Sequence, residues 1–288
     1  MVATNAVGRF SFVSGTFANP NDFAALLLMG LPFCLLVART SRGVSVFKVA
    51  CVLGLVLIPI TVVRTGSRGG LLALVLMFVL YFISVPTLQK IPLAMGALLL
   101  GVVALVFASS SALERYRTIF VGSDVTYHNS VEASAAESMR TRKELLLDSL
   151  RLTAEHPIFW VGPGMFQVAE AKGAEERKQP AAWHQTHNTY TQVSAEEGIP
   201  GLVIYMAALI LCFKAIHNGR RHALQHPEIP YLGDMAFCLR FSMLAFTITA
   251  VFASNAYYFY FPLVAGLCAA FERGVKADKA ALAAGPQR

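Results

Sequence analysis

The stretch His184–Ile216, HQTHNTYTQVSAEEGIPGLVIYMAALILCFKAI, decides how this chain is read. Its first half gathers two histidines, an amide, a phenol and two carboxylates. From Ile199 it becomes an apolar run that lasts to about Ile216. A membrane-spanning helix needs about 17–25 predominantly apolar residues. Dense polar chemistry set directly against such a run is where function sits if the chain is an enzyme.

Working outward, comparable runs precede it at about Phe23–Ala38, Val46–Val63, Gly69–Val85 and Ile91–Ser109. Two more follow, Leu232–Ala253 and Tyr257–Phe271, separated by Ser254-Asn255. The chain of 288 residues is 56% hydrophobic and 14% charged, with a mean hydropathy of +0.56. A soluble domain carries about a quarter charged residues. The sequence therefore predicts an all-α polytopic membrane protein with about seven transmembrane helices and one large polar loop containing amphipathic helices. The expected organisation is a 1–109 segment with four spans, a loop over 110–198, three spans over 199–271 and a 272–288 tail.

The net charge of +7 comes mostly from Lys and Arg in loops and flanks. No nucleic-acid-reading motif accompanies it, so nucleic acid is excluded as a partner. The five cysteines all fall inside apolar runs without CxxC spacing and read as small buried hydrophobes, not disulfides or metal ligands. Met1–Phe17 lacks the apolar core of a secretory signal.

Alternating loops divide the basic residues into two sets. Arg39, Arg42, Lys48, Lys90, Lys214, Arg220, Arg221 and the tail form the richer set, which the positive-inside rule makes cytoplasmic. The N-terminal segment, the Arg64–Arg68 turn, the large loop and Ser254-Asn255 then face outward, toward a periplasm. This puts the N-terminus outside and is read as a sign of further spans upstream.

Within the loop, Ala136–Glu155 has the spacing of an amphipathic helix, stopped by Pro157. Trp160–Met165 is a tight turn, Gly173–Pro180 is charged and expected to be mobile, and Val121–Ala135 is the least structured part. Asn19 reads as a helix cap with Pro20 in the first turn.

Arg64 and Arg68 flank Thr65-Gly66-Ser67, ahead of Gly69-Gly70 and a helix start. One reading is a diphosphate cradle, since a helix N-terminus offers N–H groups and arginine binds phosphate bidentately. The other is interfacial arginines reaching back to water. Arg140, Arg142 and Lys143 read likewise as a binding group or a solvated helix face. His187 is the candidate base, because an imidazole titrates near ~6.5 and can take a proton from a sugar hydroxyl. Its alternative is an exposed or capping loop residue. Asn188 and Tyr190 suit sugar hydroxyls. Glu197 or Glu196 suits an acceptor contact or an orienting role. His184 reads as loop structure, and no third ligand joins it with His187, so no metal or other cofactor is expected. Asp234 and Arg240 are ionisable residues inside a span.

An ordered series of motifs completes the reading: Gly15-x-Phe17-x-Asn19-Pro20-Asn21, Ser67-Arg68-Gly69-Gly70, the Arg142 helix, His156-Pro157-Ile158, Gly162-x-Gly164-x-Phe166, His187-Asn188-x-Tyr190 and Glu197-Gly198-Ile199-Pro200-Gly201. This series resembles the O-antigen ligase and polymerase superfamily of bacterial envelope glycosyltransferases, over roughly Gly8 to Phe271. Members have about a dozen spans, so the chain resembles their C-terminal part. The resemblance implies an inverting, metal-independent transferase of the cell inner membrane. Its donor is an undecaprenyl-diphosphate-linked glycan, and its acceptor is a lipid A core or another glycan. Carried over motif by motif, it implies functional roles for Arg68 with Arg64, Arg142 and His187, with Gly69, Asn188, Tyr190 and Glu197 as substrate contacts. The competing expectations are a polymerase of the same superfamily, a membrane transporter using Arg240 and the broken last pair of spans, and an inactive shortened homologue.

Overall fold

The structure is a computed structural model and describes residues 2–4, 10–12, 19–117, 130–158, 161–176, 178 and 183–284. Gly15 and Phe17 of the motif series, the 121–129 part of the least structured stretch, Trp160, Pro180 and Arg288 lie outside the described residues. Helices α1 (Pro20–Thr40), α2 (Val46–Arg64), α3 (Arg68–Ser84) and α4 (Thr87–Val106) come first. The loop carries α5 (Ser110–Arg117), α6 (Ser130–Glu155) and α7 (Phe166–Glu176). Helices α8 (Thr189–Gln225), α9 (Pro230–Thr249) and α10 (Tyr260–Ala284) follow.

Five helices (α1, α2, α4, α8 and α9) are long and apolar enough to cross a membrane, and α3 is a shorter apolar helix. The chain is thus a multi-pass helical membrane protein. Two of the seven expected spans, at α3 and α10, fall outside those five. Helix α3 has 17 residues, and α10 turns charged after Phe271, with Glu272, Arg273, Lys276, Asp278 and Lys279. The described part is helical throughout apart from one short strand pair. Strands β1 (Val2–Thr4) and β2 (Phe10–Phe12) pair antiparallel, with Val2 opposite Phe12.

Boundaries shift for local reasons. Asn19 caps α1 as expected, its side chain accepting from the Asn21 N–H at 2.9 Å. Helix α7 absorbs the charged stretch as far as Glu176, because Ala, Lys and Glu there are good helix formers. Helix α8 continues past Ile216 to Gln225, so Arg220 and Arg221 extend the span beyond its apolar part.

The core lies between α1, α3, α8, α9 and α10. Phe246 of α9 stacks on Phe261 of α10 at 5.6 Å. Pro32 interrupts the α1 hydrogen-bond ladder, and α9 supplies donors nearby: Ser242 Oγ to the Met29 carbonyl at 2.5 Å and Cys238 Sγ to the Pro32 carbonyl at 3.4 Å. Helix α4 is exposed along almost its whole length and presents Leu88, Met95, Leu98 and Leu99 outward. Inside a bilayer such a face meets lipid.

Helix α8 is broken at Gly198, whose φ of +69° is a left-handed conformation that only glycine adopts cheaply. The break reroutes two backbone bonds. The Ile199 N–H donates to the Pro157 carbonyl at 2.9 Å. Pro200 has no N–H to offer the Glu196 carbonyl, and that carbonyl accepts from the Gly162 N–H at 3.2 Å instead. The loop is thereby stitched to the span at its rim. A Cβ on Gly198 would lie 2.9 Å from the Pro157 carbonyl oxygen. Gly198→Ala is therefore expected to cost more than about 1 kcal/mol, read as a lowered unfolding midpoint in detergent; an unchanged midpoint would contradict the stitch.

Candidate functional site

Four helix ends and a loop meet on one face. The α2–α3 turn is closed by Gly66 in a left-handed conformation and by its own side chains. Thr65 Oγ1 donates to the Val62 carbonyl at 2.6 Å and accepts from the Ser67 N–H at 3.2 Å. Ser67 caps α3 by accepting from the Gly70 N–H at 3.1 Å. The Gly70 N–H is thus engaged within the turn. What the turn offers a ligand is the Arg68 guanidinium and the positive end of the helix.

Gly69 and Gly70 permit close packing here. A Cβ on Gly69 would lie 2.5 Å from the Phe252 ring, and one on Gly70 would lie 2.9 Å from Ala24 Cβ. These contacts press the start of α3 against α1 and against the α9–α10 loop, residues 250–259. Gly69 therefore acts through backbone approach.

Helix α5 folds onto the same turn. Tyr116 Oη donates to the Val63 carbonyl at 3.0 Å. The Arg115 side chain passes 3.4 Å from where a Cβ on Gly66 would stand, and Arg115 is only 6% exposed. Arg68 lies within electrostatic reach of both Arg115 and Arg142. Burial first, and then the Arg115 cation, hold the Arg142 pKa below the ordinary arginine value. Burial does the same to Arg115. The Nε of Arg142 is buried without a hydrogen-bond partner among the described residues. The structure thus brings Arg68 and Arg142 together and adds Arg115, which sequence reading passed over. The available signal was a basic residue directly after a span on the outward face, the anomaly that marked Arg64 and Arg68. Arg64 is the last residue of α2.

His187 sits in the turn before α8, in a left-handed conformation with φ of +54°. Its N–H donates to Ser254 Oγ at 2.8 Å, which ties it to the α9–α10 loop. The His184 and His187 ring centroids are 6.2 Å apart. Among the described residues no three His, Cys, Asp or Glu side chains form a metal-binding group. Asn188 is the α8 cap: its side-chain oxygen accepts from the Tyr190 and Thr191 N–H groups at 2.9 and 3.2 Å. Its amide N–H groups are what it retains for a ligand. Tyr190 Oη donates to the Thr247 carbonyl at 3.0 Å, so this phenol holds α8 to α9. Of the two carboxylates, Glu196 is the buried one, at 2% exposure, and accepts from the Phe166 N–H at 3.1 Å, where α7 begins. Glu197 folds its stem over Gly201. Burial, and next Glu196, push the Tyr257 phenol above its ordinary pKa, so it stays protonated beside the two carboxylates.

A separate cleft of about 260 Å³ lies between α6 and α7, lined by Asp148, Arg151, Glu155, Glu170 and Glu176 among others. None of the residues singled out from the sequence lines it. At its edge Glu170 accepts from the N–H of Trp183, an exposed residue with φ of +51°.

Apolar helices, a helical loop segment and a cluster of arginines near helix ends describe a multi-pass membrane protein with a basic site. A family model described as O-antigen ligase matches residues 53–206, just over half the chain, and the chain belongs to that family. The match runs from the middle of α2 into α8 and includes Arg68, Arg115, Arg142 and His187. The chain is thus an O-antigen ligase- or polymerase-type membrane enzyme. No curated protein matches it.

Asn188 separates capping from substrate contact. Asn188→Ala is expected to lose about 1 kcal/mol of stability through the missing cap, and Asn188→Asp to restore it. Unfolding in detergent checks this; equal stability of the alanine variant and the parent would contradict the capping role.

Proposed function

We propose that the chain is an O-antigen ligase, moving a glycan from an undecaprenyl-diphosphate carrier to an acceptor hydroxyl of a lipid A core or similar glycan. The reaction runs at the outer face of the inner membrane. The observation that carries this reading is the convergence of Arg68, Arg142 and the His187 turn on one face, at the ends of apolar helices. A lipid-linked donor keeps its tails in the bilayer and its diphosphate at that rim. His187 accepts the proton of the acceptor hydroxyl. The hydroxyl oxygen attacks the anomeric carbon, and the bond from that carbon to the phosphate oxygen breaks. The electron pair leaves with the diphosphate, whose charge Arg68 and Arg142 neutralise. The reading invokes no metal ion.

The orientation rests on the basic residues at the opposite helix ends, Arg39, Lys90, Arg220, Arg221 and Lys276 among them. The break between α9 and α10 lies at the helix ends and binds the start of α8, which supports the transferase reading over the transporter one.

Arg68→Ala is expected to lower transfer by about 10²–10³-fold and His187→Ala by about 10²–10⁴-fold, with expression intact. Arg68→Lys should recover little, because lysine lacks the bidentate fork. The assay is complementation of a deletion strain, following ligated glycan against carrier-linked glycan. Full ligation by either alanine variant would sink its assignment. Loss of chain extension without carrier build-up on a core acceptor would point to a polymerase.

A further inference from the structure

The α9–α10 loop follows the first turns of α8 in a fixed order. Phe252 packs on Gly69 beside Arg68, and Ser254 holds the His187 N–H. The Asn255 N–H donates to Thr189 Oγ1, and the Ala256 N–H donates to Gln192 Oε1. Tyr257 comes next, and its hydroxyl lies beside the carboxylates of Glu196 and Glu197. Glu196 is seven residues beyond Thr189, about 10 Å along the helix. Along this loop the histidine therefore stands between the arginine and the phenol. Glu196 is buried, and its Oε1 accepts from the Phe166 N–H. Its Oε2 is buried and closes no full hydrogen bond among the described residues; the Tyr257 hydroxyl is the donor beside it. Yet the Tyr257 side chain is not hidden, for the residue is 45% exposed. Holding a tyrosine by its hydroxyl fixes the ring and leaves part of its apolar body open. Such a ring gives contact area at little cost in conformational entropy.

We propose that Tyr257 is a platform for an uncharged sugar ring of the acceptor glycan, on the side of His187 away from Arg68. This rests on the ligase reading above and adds to it a residue and a charge preference. The C–H face of a pyranose packs on an aromatic ring held in this way, and the neighbouring carboxylates accept from its hydroxyls. Two carboxylates beside the platform also disfavour a sugar that carries a carboxylate or phosphate of its own. The donor diphosphate belongs at the arginine end of the loop, so the acceptor is left the Tyr257 end.

The test is saturation-transfer NMR on the full chain in lipid nanodiscs, with methyl α-D-glucopyranoside and methyl α-D-glucuronoside as probes. The parent is expected to bind the glucoside through its ring C–H protons, and the glucuronoside about fivefold more weakly. Tyr257→Leu should weaken glucoside binding about tenfold, and Tyr257→Phe, which keeps the ring and loses its anchor, about threefold. Glu197→Gln should narrow the preference for the glucoside. No binding by the parent, or parent affinity in either Tyr257 variant, would overturn the proposal; Tyr257→Phe decides if Tyr257→Leu does not fold. Undecaprenyl-diphosphate-linked glycan is then added. Undiminished glucoside binding supports the acceptor side, and displacement would put the sugar on the donor side and overturn the assignment. If the parent binds the glucoside but not undecaprenyl diphosphate, the ligase reading fails, which is a separate failure from that of the platform.

Discussion

Thr189 is the residue on which the site-bearing face depends. It is fully buried at the first position of α8, and its N–H and its hydroxyl both reach the α9–α10 loop. Its N–H donates to the Ala250 carbonyl at 2.8 Å, where α9 ends. Its hydroxyl donates to the Ala253 carbonyl at 2.7 Å and accepts from the Asn255 N–H at 3.0 Å. Ala250 and the Ala253–Asn255 stretch are buried, so partners for their backbone groups must come from neighbouring protein groups. Ser254 adds the bond to the His187 N–H, and Gln192 accepts from the Ala256 N–H at 3.3 Å. The same loop presses Phe252 on Gly69, next to Arg68. One polar seam therefore fixes the histidine and approaches the arginine, although the two are far apart in sequence.

A second seam fixes the loop helices to the kink in α8. Gly198 and Pro200 stop α8 from running straight, and the freed donors and acceptors go to Pro157 and Gly162. Glu196, just before the break, receives the start of α7. Helices α6 and α7 are therefore held against the rim of the span rather than tethered loosely to it. Arg142 rides on α6, so this seam positions the arginine as much as it positions the loop.

Much of this was legible in the sequence, and the unreadable parts have a common cause. Apolar runs marked where the long helices lie, because lipid imposes length and composition locally, although α8 and α10 extend well beyond their runs. Asn19-Pro20, Pro157 and Gly198-Ile199-Pro200 announced their turns through backbone constraints that each residue carries by itself. Arg68, Arg142 and His187 stood out by charge, side and motif order, and Arg68 and Arg142 prove to be neighbours. Ser254-Asn255 read only as a helix break, because its partners Thr189 and His187 lie more than sixty positions away. Asn188 and Tyr190 looked like ligand contacts, yet their oxygens serve the cap and the α8–α9 contact. Arg115 carried no periodicity or motif to mark it, and it becomes visible only when α5 lands on Gly66. The three-residue strands near the N-terminus were too short to register.

The central claim is that the face assembled by these seams transfers glycan from a lipid diphosphate to a hydroxyl. The most direct measurement uses the purified full chain in lipid nanodiscs with undecaprenyl-diphosphate-linked glycan and a lipid A core acceptor. Release of free undecaprenyl diphosphate and the anomeric configuration of the product are followed together. The account predicts release that depends on the acceptor, equals the glycosylated acceptor formed and inverts the anomeric centre. Release without acceptor glycosylation, or a product that retains the configuration, would contradict it.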